Sequence, residues 1–592
     1  MKFITVSGPP SSGKTAVVLR AIEQLPPGIR VGVVKFDCLN AADKEIYERY
    51  GIPVKVGIAG SLCPDHFFII NIEAALQWGI EQGFDVLISE SAGLCNRCSP
   101  HIRNVTAVCV IDNLSGINTP KKIGPMLKFA DIVAVTKGDI VSQAEREVFY
   151  SRISQVNPRA RIMRVNGITG QGCTQLVRAI MAADDTETLV DGHLRFSMPS
   201  ALCNYCLGQT LIGESSAGNV RRIDFSTDYQ DKKLPVVERR EGNVTMNSAR
   251  VRDLITNWTF ERLFGQYPYA ANIFEAIRLD DWRREETLVD LLNRHPSESF
   301  TDYGYTKATF VQTVLKYVEE EDAREPLHLD EVRSIRIFGG KDKDGKPEEL
   351  DLELQVGEVL CIVGPTGSGK SRLLEDIESL AQRDTPTGRT VLVNDAVPND
   401  EQRYEMNRRL VAHLTQNMNF VVDLTVAEFI EMHAKALEAD DVQRKCAEVI
   451  KEANRLSGER FDASTPVTQL SGGQSRALMI ADVAVLSTSP IILIDEIENA
   501  GICKEEALEL LVQREKIVLM ATHNPVLALM GNRRAVLENG AVKTVVETTE
   551  AERANLGLLK DVDLFLLGLR ERIRCGESFD DGLRENLQKA IG

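Results

Sequence analysis

Nowhere does this sequence hold the roughly 18 consecutive apolar residues that a membrane-spanning helix needs, so no segment is expected to cross a bilayer by itself. Long clusters of lysine and arginine are missing too. With 69 basic against 86 acidic side chains and a formal charge of −17, the surface is expected to repel phosphates, which disfavours a DNA or RNA partner. The opening residues, Met1 to Ser7, run straight into a strand and a Gly-rich loop. They leave no room for the charged and apolar regions of a signal peptide, so the expected compartment is the cytoplasm. In that setting the 12 cysteines read as reduced thiols and candidate ligands, not as a disulfide framework.

At 592 residues, with 43% hydrophobic and 26% charged side chains, the chain is too long for one hydrophobic core and is expected to hold several domains. Over 1–195, strands are read up to Ser7 and at Val31–Phe36, Asp85–Ser89, Thr106–Ile111 and Ile132–Val135. They alternate with helices, which predicts an α/β domain on a mostly parallel sheet. Residues 196–328 read as a small, mainly helical connector entered through a cysteine pair, with helical patterns over Val251–Phe264, Tyr269–Ile277 and Thr306–Glu320. A further domain is expected over 329–550, opening with two strands joined by a turn at Gly339–Pro347, and 551–592 reads as a helical tail.

Gly8-Pro9-Pro10-Ser11-Ser12-Gly13-Lys14-Thr15 fits G-x-x-x-x-G-K-[ST] between a strand and a helix, where backbone N–H groups can wrap phosphates. Lys14 would reach the β- and γ-oxygens and Thr15 would hold Mg²⁺. Glu90 follows the apolar strand Asp85–Ser89, where an acidic residue can orient the metal or a water. Thr136-Lys137-Gly138-Asp139 resembles the guanine-reading N/T-K-x-D motif of GTPases, which implies GTP at this site, with Asp139 selecting guanine and Lys137 beside it.

With these motifs in place, the first domain resembles the nickel-insertion GTPases of hydrogenase and urease maturation, of the SIMIBI class. The resemblance covers about 190 residues. It rests on the P-loop, Asp37 after the second strand, the turn Glu90-Ser91-Ala92-Gly93, and Val110-Ile111-Asp112 ahead of Thr136. Those GTPases carry a Cys-Pro-His metal motif, and here the stretch reads Cys63-Pro64-Asp65-His66, with one residue inserted. Cys95 and Cys98 follow the Glu90 turn, with His101 nearby. Thiolate with imidazole suits Ni²⁺ or Zn²⁺, and a thiolate pair suits an iron–sulfur cluster, while small buried cysteines are the plain alternative. Lone Cys38, Cys109 and Cys173 are expected in the core. In the connector, Cys203-Asn204-Tyr205-Cys206 is half of a four-ligand set. Two copies meeting across a two-fold axis would complete a site for a bridging [4Fe–4S] cluster or Zn²⁺; completion within one chain, or a redox-active dithiol, are the alternatives.

A second P-loop, Gly364-Pro365-Thr366-Gly367-Ser368-Gly369-Lys370-Ser371, follows the strand Val359–Val363. Behind it come Gln416 where a Q-loop belongs, Leu470-Ser471-Gly472-Gly473-Gln474, the strand Ile491–Asp495 with Glu496, and His523. This ordered set resembles the soluble ABC-type ATPases. By residue type, Lys370 would bind phosphates, Ser371 and Asp495 would hold Mg²⁺, Glu496 would polarise water and His523 would meet the γ-phosphate of ATP. Phe338 is a candidate for stacking on adenine. The resemblance implies that Ser471 and Gly473 complete a partner's site, hence a homodimer. Residues 497–502 depart from the D-loop of transporter cassettes.

The expected architecture is thus a SIMIBI-like P-loop domain and an ABC-type ATPase domain joined by a Cys-bearing connector. Its expected function is maturation or activation of a client metalloenzyme by nucleotide-driven delivery of a metal, cluster or electron. The alternatives are the ATPase motor of a metal transporter, and a nucleotide-switch scaffold in which the cysteines are incidental.

Overall fold

The computed structural model of the chain describes all residues except 39–42, 61–63, 94–98, 197–211, 213–222, 224–255, 268–269, 271–273, 275–278, 280, 302–306, 309, 313, 316–317, 319–331, 400–401, 404–409, 417, 438, 496–501 and 577–592. By its own packing the chain divides into two units. One comprises Met1–Gly138 and Phe149–His328, the other Asp139–Val148 and Leu329–Gly592.

In the first unit the described residues form a seven-stranded, all-parallel sheet in the order β3-β2-β4-β1-β5-β6-β7. Its strands are β1 (Lys2–Ser7), β2 (Val31–Asp37), β3 (Val54–Ile58), β4 (Val86–Ser91), β5 (Thr106–Asp112), β6 (Ile132–Thr136) and β7 (Arg161–Arg164). The runs Phe3-Ile4, Val33-Val34 and Val108-Cys109-Val110 are buried on both faces, as a parallel sheet covered by helices requires. One face packs on Val17, Val18, Leu176 and Ile180, the other on Phe67, Phe68, Ile72 and Leu76 of the helix Pro64–Glu81. β3 and β7 extend the sheet beyond the five strands legible in the sequence. The order places the C-terminal ends of β1, β4, β5 and β6 together, which is where ligands collect in open parallel sheets.

Farther along this unit, Phe260, Phe274, Leu288, Phe300 and Phe310 build a separate core. Of the helical pattern expected over Val251–Phe264, residues 251–255 lie outside the described residues, and a helix Phe260–Gln266 begins after Thr259, which is extended and whose hydroxyl caps the backbone N–H of Arg262. The helical pattern at Tyr269–Ile277 falls largely outside the described residues.

The second unit holds two sheets among its described residues. An antiparallel one, in the order β11-β8-β9, is made of β8 (Ser334–Phe338), β9 (Asp351–Gln355) and β11 (Thr390–Val393). A six-stranded one, in the order β12-β13-β14-β10-β15-β16, comprises β10 (Val359–Val363), β12 (Val411–Leu414), β13 (Ile491–Asp495), β14 (Ile517–Ala521), β15 (Arg533–Glu538) and β16 (Ala541–Glu547). It is parallel apart from the β15–β16 hairpin. The helices Val426–Ala436, Val442–Leu456 and Gly472–Val485 share one apolar core through Phe429, Val449, Ala453 and Leu478.

By its packing, Asp139–Val148 is counted with this second unit. Ala144 joins the helical core, and Glu145 accepts from the backbone N–H groups of Val421 and Val422, both at 2.8 Å. The fully buried Arg146 donates to the His413 carbonyl at 2.7 Å. Glu147 accepts from His433 Nε2 at 2.7 Å, and the other ring nitrogen of His433 faces Asp482 at 3.0 Å.

Candidate nucleotide sites

In the first unit the backbone between β1 and the helix Lys14–Glu23 makes the P-loop. Gly13 sits in the left-handed region (φ 90), and at Gly8 an added Cβ would lie 2.0 Å from the Val110 carbonyl oxygen, so residue 8 tolerates no side chain. The Lys14 ammonium lies against the Gly8 and Pro9 carbonyls, both at 2.9 Å, and Ala92 O at 3.3 Å. Burial lowers its pKa, and the nearby Glu90 opposes that shift. Ala92 belongs to the Glu90–Gly93 turn, which approaches so closely that a Cβ on Gly93 would stand 1.7 Å from Gly8 O.

Thr15 Oγ1 donates to Glu90 Oε1 at 2.7 Å and lies 3.3 Å from Asp43 Oδ2. A hydroxyl and two carboxylates converging at the head of a P-loop helix are the hard oxygen donors that Mg²⁺ selects. The buried Glu90 also accepts from Tyr47 OH at 2.6 Å and Lys35 Nζ at 3.1 Å, and Lys35 pairs with Asp43. Burial holds the Tyr47 phenol far above its ordinary pKa, so it stays a donor. Asp43, Lys35 and Tyr47 are functional candidates that the motifs did not name.

Asp37 ends β2, and its carboxylate accepts from the Cys38 N–H at 2.7 Å. Lys137 donates to Ser11 O at 2.8 Å and lies 3.5 Å from Asp112, while Thr136 Oγ1 donates to Ser12 O at 2.7 Å. The start of the guanine motif is thereby tied to the P-loop. Asp139 is counted in the second unit, where its carbonyl accepts from Thr415 Oγ1 at 3.0 Å.

The candidate metal ligands fare differently. Cys63, Cys95, Cys98, Cys203 and Cys206 lie outside the described residues. His66 is 1% exposed, and burial lowers its pKa. His101, which the sequence places near the cysteines, is a core residue. It is fully buried against Thr5 and Ser7 hydroxyls at 3.2 and 3.1 Å and the Met126 carbonyl at 3.0 Å, and burial pushes its pKa down to about 3. Cys109 and Cys173 are buried as expected, with thiols pushed up to about 12 by desolvation, whereas Cys38 is only half-buried. Among the described residues, no group of three or more His, Cys, Asp or Glu side chains is arranged to hold a metal ion. Nor is any described helix long and apolar enough to cross a membrane.

The second unit builds its own P-loop between β10 and the helix Lys370–Glu378, again with a left-handed glycine, Gly369 (φ 104), at the N-cap. An added Cβ at Gly364 would meet the Leu537 carbonyl oxygen at 2.5 Å, and Gly367 has φ +77. Lys370 Nζ lies 3.0 Å from Gly364 O and 3.0 Å from His523 Nε2. Ser371 Oγ donates to Asp495 Oδ2 at 3.2 Å, which brings together the hydroxyl and carboxylate proposed for Mg²⁺.

Ser471 is the N-cap of the helix Gly472–Val485. Its hydroxyl accepts from Gln474 N while Gln474 Oε1 accepts from Ser471 N, a capping box written into the Ser-Gly-Gly-Gln sequence itself. Among the described residues, a Cβ added at Gly472 would meet nothing within 4 Å. From the same helix Arg476 donates to the Thr415 carbonyl at 2.6 Å and to the Gln416 carbonyl, fixing the backbone of the Gln416 loop. No motif position pointed to Arg476. Phe338 ends β8 with the Arg336 guanidinium 5.2 Å over its ring. Glu496 and residues 497–501 lie outside the described residues.

Two P-loops, each with its threonine or serine hydroxyl on a strand-end carboxylate, define a nucleotide-dependent protein, and the second is built as an ATP-hydrolysing site. The family comparisons agree. Residues 2–164 match the CobW/HypB/UreG nucleotide-binding domain and residues 347–499 match the ABC transporter family. The chain is 54% identical over 250 residues to the uncharacterized ABC transporter ATP-binding protein MJ0121 of Methanocaldococcus jannaschii, covering 42% of this chain and 95% of that protein. It is 46% identical over 232 residues to the uncharacterized protein MJ0120 of the same organism, covering 39% of this chain and 99% of that one. A solved structure of the dimeric ATP-binding cassette MJ0796 bound to ADP and Pi is 26% identical, with 36% of this chain and 99% of that chain covered and a TM-score of 0.29. The chain therefore belongs to the ABC ATP-binding family, and it carries a CobW/HypB/UreG nucleotide-binding domain at its N-terminus.

Proposed function

We propose that the chain is a nucleotide-driven maturation or activation factor that delivers or remodels a metal ion, an iron–sulfur cluster or an electron for a client metalloenzyme. The observation that carries this reading is the pairing, in one polypeptide, of two P-loops whose hydroxyls meet a carboxylate, Thr15 with Glu90 in the HypB- and UreG-related domain and Ser371 with Asp495 in the ABC domain, as Mg²⁺ ligands would. The thiols Cys63, Cys95, Cys98, Cys203 and Cys206 would supply soft ligands for the cargo.

In this reading Asp139 selects guanine at the first site and Phe338 meets adenine at the second. Mg²⁺ supplies charge neutralisation at the phosphates. Lys370 and the loop N–H groups bind those phosphates, Glu496 polarises the attacking water and His523 faces the γ-phosphate. Ser471 and Gly473 complete the site of a second copy, so ATP closes a homodimer and hydrolysis opens it.

Anaerobic purification with iron, sulfide, nickel and zinc analysis tests the proposal, alongside size exclusion of a Glu496→Gln variant with ATP. Bound metal that a Cys203→Ser/Cys206→Ser variant loses, and an ATP-dependent dimer, are expected. Metal-free protein whose thiols all alkylate rapidly would remove the metallocentre reading and leave a nucleotide switch. A transporter-motor reading is favoured by one observation, that the 54% identical relative is named an ABC transporter ATP-binding protein, and stable association with a membrane permease would select it.

A further inference from the structure

Strand β2 reads Val31-Gly32-Val33-Val34-Lys35-Phe36-Asp37, and the lysine is out of place. Its neighbours Val34 and Phe36 are fully buried, and Lys35 itself is 3% exposed. A lysine in such a strand costs stability unless its charge is met, and here it is met by the first site's own ligands. Lys35 Nζ lies 3.1 Å from Glu90 Oε1 and 3.4 Å from Thr15 Oγ1, and it is paired with Asp43 Oδ2. The two carboxylates that meet it, Glu90 and Asp43, balance the charge that burial would otherwise leave uncompensated. Thr15 Oγ1 donates to the same Glu90 Oε1 and approaches the same Asp43 Oδ2. Three oxygens therefore converge on one ammonium, and they are the same three that a divalent cation at this P-loop would take.

We propose that Lys35 is a tethered counter-ion at the first nucleotide site: its ammonium holds Thr15, Asp43 and Glu90 together, competes with Mg²⁺ for their oxygens, and so sets how strongly nucleotide binding depends on magnesium. Tyr47 fits this role as a fixed support. Its hydroxyl holds the other oxygen, Glu90 Oε2, at 2.6 Å, leaving Oε1 as the one exchanged between cations. The four-carbon stem of lysine lets the ammonium withdraw without moving the strand. Lys35 acts on the metal ligands and not on the reacting atoms, so it is a positioning residue. The proposal rests on the reading of the first site as a magnesium-dependent nucleotide site.

The test uses the full chain with its second site disabled by Lys370→Ala, and compares Lys35 with Lys35→Met, Lys35→Gln and Lys35→Arg. A fluorescent GTP analogue is titrated with Mg²⁺, and the folded state of each variant is checked by circular dichroism. In Lys35→Met and Lys35→Gln the half-saturating Mg²⁺ concentration is expected to fall by about tenfold or more, while Lys35→Arg, which keeps the charge, stays within about threefold of the parent. Midpoints within about twofold of the parent in both uncharged variants, or an equal shift in Lys35→Arg, overturn the proposal. If the parent binds no analogue at any Mg²⁺ concentration, the nucleotide reading fails. Mn²⁺ titration of the nucleotide-free chain then still decides on Lys35, with tighter Mn²⁺ binding by the uncharged variants expected and equal affinity overturning it.

Discussion

His433 offers a measurement in which structure fixes both sign and size. The imidazole is fully buried between Glu147 and Asp482, at 2.7 and 3.0 Å from its two nitrogens. Burial alone would lower its pKa, but the two carboxylates outweigh it and push the group up to about 10. Burial also raises the Asp482 carboxyl, which takes back part of the gain. Because the folded pKa exceeds the ordinary value of about 6.5, the folded state holds the proton more tightly. The stabilisation is complete below about pH 6.5, declines by about 1.4 kcal/mol per pH unit, and is gone above about pH 10.

Between about pH 7.5 and 9.5 the loss from His433 is about 2.5 kcal/mol, or about 5 °C or more in the melting temperature of a unit of this size. The assay is thermal unfolding of the parent and of His433→Gln at both pH values, followed by near-ultraviolet circular dichroism. The variant should melt lower at about pH 7.5 and lose fewer degrees than the parent on going to about pH 9.5. Equal losses in the two proteins would show that His433 is not held protonated, and the argument from its two carboxylates would fail.

Arg389, fully buried, donates to Glu348 at 2.8 and 2.9 Å and to Asp376 at 2.9 Å, so Arg389→Met leaves two buried carboxylates uncompensated and should cost about 3–5 kcal/mol in urea unfolding. Gly93→Ala drives a methyl group into the Gly8 carbonyl and should weaken nucleotide binding at the first site by about tenfold or more, read with a fluorescent GTP analogue. Arg476→Ala frees the backbone of the Gln416 loop and should lower kcat for ATP by about tenfold with a smaller change in KM, measured by phosphate release.

Both P-loops were legible in the sequence because their signals are local: a strand, a run of glycines that must turn left-handed, and a lysine and hydroxyl at the head of a helix. The Ser471–Gln474 motif doubles as a capping box, so its helix start could also be read. What escaped is non-local. β7 is a partly exposed edge strand whose Arg161-Ile162-Met163-Arg164 carries too little apolar pattern to announce itself. Asp43 lies beyond β2 in a short polar helix with no motif. Lys35 did leave a trace, a charge inside an apolar strand, but its meaning needed Glu90 and Thr15 in space. The role of His101 was not legible either, because nearness in sequence to Cys98 says nothing of direction, and its ring turns into the core.

The glutamate that meets His433 lies 286 residues earlier in the chain. Asp139–Val148 is therefore made long before Leu329, where the remainder of its unit begins. A ribosome finishes this part of the protein in two instalments, and the partners of Glu145, Arg146 and Glu147 at Val421, His413 and His433 arrive only with the second. Anyone who clones the ATPase half from Leu329 onward also discards one wall of its interior. Returning that ten-residue stretch to an excised fragment, as a fused leader or as an added peptide, is expected to raise its melting temperature.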